Sequence, residues 1–202
     1  MKRLALGFII GLALGSFARA QEVIAGNSRQ EMFVQGGNVR LMLASGEYRV
    51  RAGASDRVRV RWEPETPGDI SDIKDAKKVK VRMDVAGTVA TIKTGGPTKH
   101  VRFIIEMPAR SDLFLRMRAG DVRIAGIEGN KDIHMTAGDL KIAILPEAYS
   151  HVHASVTFGD LKARPLGLSK DGIGNSMNWD GPGTYTLHAS MLAGDLTLSP
   201  LN

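Results

Sequence analysis

Four aspartates follow glycines in near-copies of one phrase: Gly120-Asp121 in RAGDVRI, Gly138-Asp139 in MTAGDLKI, Gly159-Asp160 in TFGDLKA and Gly194-Asp195 in LAGDLTL. Brought into line, such carboxylates would offer the oxygen ligands that Ca²⁺ takes, or the acid pair that cleaves a glycosidic bond. A calcium loop carries denser acids of the DxDxD kind, which this chain lacks. The simpler role, and the expected one for all eight residues, is in a turn, where a short carboxylate bonds nearby backbone.

Two residues after three of these acids stand bases, Arg123, Lys141 and Lys162. Opposite the apolar positions, they are expected to face solvent. A stacked basic stripe would attract an acidic polysaccharide or an anionic lipid surface; it would also keep exposed strands from pairing with other chains. His151 and His153 are two apart, so in a strand they share a side and could hold a metal together, with His188 at the equivalent place of a matching repeat. In the Gly-rich stretch Gly172 to Tyr185, Trp179 stands between Asn178 and Asp180. Such a loop tryptophan is either a flat platform for a sugar ring or a lid on the open end of a repeat core; the lid is favoured. No GxSxG, HExxH or GxxxxGK motif occurs, so no catalytic residues are assigned and no cofactor is implied.

These groups can act together only if the elements carrying them stack. The chain reads as strand after strand: Asn38 to Leu43, Arg57 to Trp62 and Lys78 to Val85 alternate apolar and charged residues, and Val101 to Met107 is more uniformly apolar. Asp69 to Lys78 is the one helix candidate, with a polar loop after Pro64 and Pro67 the equal alternative. Before each Gly-Asp the apolar residues fall on alternate positions, as in Leu113, Leu115 and Met117; after it the parity flips, to Val122 and Ile124. A two-residue type II′ corner would do this, and Gly46-Glu47 looks like an earlier copy. The glycines are spaced by 18, 21 and 35 residues, the scale of one coil of a β-solenoid with an insertion in the last. HASVTFGDL from His153 and HASMLAGDL from His188 are the closest pair. The expected fold is all-β, a right-handed single-stranded parallel β-helix; an antiparallel β-sandwich or meander with hairpins at each Gly-Asp is the alternative.

Residues 1–20 have a basic start, an apolar run from Leu4 to Phe17 and the small-x-small pattern Ala18-Arg19-Ala20, which read as a signal peptide. Its removal would leave a single domain over residues 21–202. Three of the 27 basic residues would leave with it, so that 24 face 21 acids and the net charge falls to +3, too mild for a nucleic-acid binder. No second apolar run is long enough to span a membrane. The absence of cysteine excludes disulfides and thiolate metal sites, so stability must come from a packed core.

An alternating N-terminal half, a strand ending in proline within VRFIIEMPARSDLFLRM (Val101 to Met117), recurring AGD-type corners, a Gly-rich loop and a last AGD strand together resemble the bacterial adhesin-like domains of unknown function. The resemblance covers roughly Val39 to Leu198. It implies an exported single-stranded β-helix and transfers no catalytic residues. The expectation is therefore a non-catalytic binding or surface-interaction module of the bacterial envelope, in the periplasm or at the cell surface. Its partner would be a polysaccharide or another envelope protein. A carbohydrate-active enzyme using stacked aspartates and a structural envelope protein are the alternatives.

Overall fold

A computed structural model describes residues 27–201; the expected signal peptide and its cleavage site lie outside the described residues. Fourteen strands form one mixed sheet. In the N-terminal half these are β1 (Ser28–Met32), β2 (Asn38–Leu43), β3 (Gly46–Ala52), β4 (Arg57–Pro64), β5 (Lys80–Ala86), β6 (Val89–Gly95) and β7 (Val101–Met107). They are followed by β8 (Asp112–Ala125), β9 (Lys131–Ile144), β10 (Tyr149–Phe158), β11 (Leu161–Ala163), β12 (Leu168–Lys170), β13 (Ile173–Asp180) and β14 (Tyr185–Pro200). Of the helix and the polar loop open over Asp69 to Lys78, the helix forms, as α1 (Ile70–Lys78). Asp69 caps it, accepting from the Ser71 and Asp72 amides at 2.7 and 3.3 Å, which satisfies donors that a first helical turn leaves unpaired.

The Gly-Asp pairs do not sit in hairpins, contrary to the antiparallel alternative. β8 pairs β9, β9 pairs β14 and β14 pairs β10, all in parallel. Nor are the pairs separate two-residue turns: β8, β9 and β14 run unbroken through them. Within each strand the buried positions change parity at the glycine, from Leu113, Leu115 and Met117 to Val122 and Ile124 in β8, as the sequence pattern demands. Glycine permits the bend because Gly120, Gly138, Gly159 and Gly194 have φ between 117° and 129°, a region that other residues rarely adopt.

Register locks the bends into a column. Gly46 lies beside Gly120, Gly120 beside Gly138, and Gly138 beside Gly194. A Cβ on Gly138 would fall on the Gly120 carbonyl oxygen, one on Gly194 on the Gly138 oxygen, and one on Gly159 on the Gly194 oxygen. The earlier copy at Gly46-Glu47 thus joins the same column, with Glu47 opposite Asp121.

Each bend divides a strand into two arms, and each arm stacks with its equivalents. On the first arm Ile92, Leu41, Leu115, Ile133, Ala189 and Ala154 form one buried row; on the second Ile105, Val50, Ile124, Ile142, Leu198 and Ala163 form another. Burying each large aliphatic side chain contributes about 1.5–3 kcal/mol, so the rows facing inward from the two arms make the core. Antiparallel strands close the row at its two ends: β5 on β6 and β4 on β7 at one, β13 on β10 and β12 on β11 at the other. The segment expected as a loop around Trp179 is therefore largely strand β13. Its inward positions Asn175 and Met177 are buried, and half-buried Trp179 packs against the core.

Candidate functional site

With the core between the arms, every second residue points outward, and each arm presents a flat face of side-chain rows. Neighbours in such rows are about 4.8 Å apart.

The second arm is charged. Glu47, Asp121, Asp139 and Asp195 are successive register partners, and the Asp160 amide donates to the Asp195 carboxylate at 3.4 Å. Two residues further, Arg49, Arg123 and Lys141 are aligned, followed by Thr197 and then Lys162. Acid and base rows thus run side by side, and ion pairs form at Glu47 and at Asp160. Lys162 holds Asp160 at 2.7 Å, and Glu47 takes Arg49 and Arg102 at 3.1 Å and Arg123 at 3.4 Å. Burial works against ionisation of Glu47, but Arg102 and then Arg49 outweigh it and hold the carboxyl below its usual range. The expected carboxylate ladder exists as a line of Cα positions. Among the described residues, however, its oxygens do not draw together into a group of three metal ligands.

The first arm carries different chemistry. Phe114, Asp132, His188, His153 and Asn178 follow one another across β8, β9, β14, β10 and β13. The next outward row holds Arg116, His134, Ser190, Ser155 and Ser176. Asp132 Oδ1 lies 2.9 Å from His134 Nε2 and 3.0 Å from His188 Nδ1. His134 Nδ1 meets Ser190 Oγ at 2.8 Å. The His134 and His188 rings meet edge to face with centroids 5.3 Å apart, and His153 stacks on His188 at 5.2 Å. His153 Nδ1 is bonded to Asn178 Oδ1 at 2.6 Å.

The expected metal trio is therefore redistributed. His153 and His188 are neighbours, but His151 stands apart and pairs with Asp180 at 2.6 Å. Donor atoms converge instead in Asp132, His134 and His188, all half-buried. Asp132, His134 and Ser190 were not singled out by spacing within one segment. The signal that finds them is distance from the bend: Asp132, His153 and His188 each precede their glycine by six residues, and His134 and Ser190 precede theirs by four. Asn178 and Asp180 point to this outward face while Trp179 points inward, so the three do not make one sugar platform.

Lys131 begins β9 and is buried, only 2% exposed. Its Nζ donates to Tyr149 Oη at 2.6 Å and to the Gly129 carbonyl at 3.1 Å. Removal from water brings its pKa down to about 8, against the opposing charges of Asp112 and Glu128. Closed in this way, it is a structural lysine. A shallow cavity flanked by Arg40, Phe114, Asn130 and Asp132 opens onto the first-arm face beside it.

No family model matches the chain, and no curated protein does. Among solved structures it is similar to a candidate cell adhesion protein from Clostridium sporogenes, at 12% identity and a TM-score of 0.49, covering 85% of this chain and 99% of that one. It is also similar to a candidate adhesin from Parabacteroides merdae, at 11% identity and a TM-score of 0.26, covering 87% of this chain and 83% of that one. At these scores neither likeness establishes a shared fold, and the adhesion names belong to those two proteins.

Proposed function

We propose that the protein is an exported, adhesin-like β-solenoid of the bacterial envelope that works by binding, with no reaction of its own. The observation that carries this is the glycine column. Five Gly-acid bends in line, each joining two arms that pair in parallel with neighbouring arms, support a ribbon of stacked coils, of which β8 and β9, with glycines 18 residues apart, are consecutive in chain and in space while β14 enters between β9 and β10. They also explain how β8 and β9, joined by a short link, lie parallel: the second arm of β8 is itself the crossover that parallel strands require. Among the described residues no helix is long and apolar enough to cross a membrane.

Such a winding offers flat, regularly spaced polar rows in place of a deep cleft. On the second arm, Arg123, Lys141 and Lys162 form the surface we assign to an acidic polysaccharide, with Lys141 the residue that no facing acid engages among the described ion pairs. Retention on immobilised acidic polysaccharide is expected to weaken with salt and to fall in Lys141→Glu. Unchanged retention in that variant would remove the basic row from the proposal. Release of reducing sugar from acidic glycans, abolished by Asp139→Asn, would instead establish the carbohydrate-active alternative.

A further inference from the structure

We propose that Asp132, His134 and His188 form a binding site for a zinc-class divalent ion on the first-arm face. The inference stands apart from polysaccharide binding, which was assigned to the other arm.

The donor set selects the metal. Two imidazole nitrogens and one carboxylate suit Zn²⁺ and its late transition-metal neighbours, whereas Ca²⁺ and Mg²⁺ want more oxygens than one carboxylate supplies. The geometry is close to what the ion needs. Donor atoms around a tetrahedral zinc lie about 3.3 Å apart, and Asp132 Oδ1 is already 2.9 and 3.0 Å from the two nitrogens. Among the described residues the ionic partners of Asp132 are these two histidines, so no guanidinium or ammonium has to be displaced.

Each ligand is aimed by something behind it. His134 would bind through Nε2, leaving Nδ1–H to donate to Ser190 Oγ, now at 2.8 Å. That second hydrogen bond fixes the tautomer and the ring orientation, as outer partners of metal-bound histidines do. His188 would bind through Nδ1, its ring held against the His153 ring, which Asn178 anchors in turn. The strands supply the rest: Asp132 and His134 are two apart on β9, and His188 is the register partner of Asp132 on β14, so rigid backbone sets the spacing. With 37–49% of each side chain exposed, a fourth position remains for water or a donor from outside. The site is then an exchangeable surface site and contributes nothing to folding in its absence.

Titration calorimetry of the chelator-stripped protein with ZnCl₂ tests this. One ion per chain is expected, with affinity falling by about tenfold or more in each of His134→Ala, His188→Ala and Asp132→Asn. His151→Ala should leave affinity within twofold. Thermal unfolding of the same variants without zinc checks that each is folded; being surface changes, they should keep the parent midpoint. In the parent, zinc should raise that midpoint with concentration, as any ligand of the native state does. Absence of saturable binding, or binding that His151→Ala weakens and His134→Ala does not, overturns the assignment. Polysaccharide retention is measured separately on Lys141→Glu, so loss of one result leaves the other standing.

Discussion

The two outward faces of the ladder have the same architecture and opposite chemistry. Both are rows of side chains that one glycine column brings into register, yet on the second arm each acid row has a base row two residues away. Glu47 alone takes three arginines. On the first arm Asp132 meets imidazoles only, and the histidines meet a serine, an asparagine and each other. Stacking creates rows everywhere, but a row becomes a candidate site where its members leave coordinating capacity unspent. On the second arm that capacity is left at Lys141, which no acid engages among the described ion pairs, and the charge-compensated remainder is a solvated surface that guards against edge pairing.

The strongest way to break the comparison is to remove what the two faces share. Gly138→Ala puts a methyl group onto the Gly120 carbonyl, at a φ of 117° that alanine resists. Strain and clash together should cost about 3–5 kcal/mol. Gly87→Ala, with positive φ but open space around it, should cost about 1 kcal/mol. Urea unfolding measures both. Equal losses would mean that the column is no tighter than an ordinary turn.

Lys131 sharpens the comparison from inside, since it starts the β9 arm that carries Asp132 and His134. Its folded pKa is about 8 against 10.5 for the ordinary group, so the unfolded chain binds the proton more tightly. The penalty is present in full below pH 8 and is relieved as pH rises toward 10. Stability relative to Lys131→Met should therefore climb by about 2–3 kcal/mol across that window. Above pH 10 the neighbouring Tyr149 acts in the opposite sense, because burial raises its pKa to about 12. A flat difference between parent and variant from pH 7 to 10 would show that Lys131 is not desolvated in solution.

How much of this was legible from the residues depends on the range of the interaction. Parity flips at Gly120, Gly138, Gly159 and Gly194 are local, and they mark the side chains buried on either side of each bend, except Phe158, which the alternation before Gly159 would bury and which is exposed. Asp69 at the start of α1 was equally local. The nature of the bend was not: a type II′ corner and an in-strand glycine produce the same flip, and only pairing with the neighbouring strand distinguishes them. The histidine site depends on β14 lying between β9 and β10, an order in space that differs from order in the chain. Counting back from each glycine would have aligned Asp132 with His188, but only for someone who knew that Gly138 neighbours Gly194. Trp179 lies in a strand and not in the loop its glycine-rich surroundings suggest, because antiparallel pairing of β13 with β10 needs a partner that the segment itself does not reveal.

The strand that carries Trp179 bears on the comparison because β13 extends the first-arm face by one row, while β12 extends the second. Trp179→Ala should cost about 2 kcal/mol, less than a fully buried tryptophan because the ring is half-exposed. Amide exchange should accelerate in β13 and β10 before it does in β8 and β9. Uniform acceleration would mean that the ladder unfolds as one unit and that β13 is no separate lid.

The smallest effects should separate the faces most cleanly. Lys141→Glu reverses an exposed charge next to its register partner Arg123 and two residues from Asp139, and His134→Ala removes a partly exposed ring from the other arm. Exposed pairs contribute about 0.2–1 kcal/mol, so neither change should move stability by more than about 0.5 kcal/mol at physiological salt. Their dependence on salt should differ. The Lys141→Glu effect, of either sign, is an interaction between exposed charges and should shrink as the Debye length falls from about 8 Å at 0.15 M to about 3 Å at 1 M. The His134→Ala effect, an imidazole hydrogen-bonded to Ser190 and Asp132, should change less over the same range, and equal salt slopes would erase the distinction between a compensated face and a coordinating one.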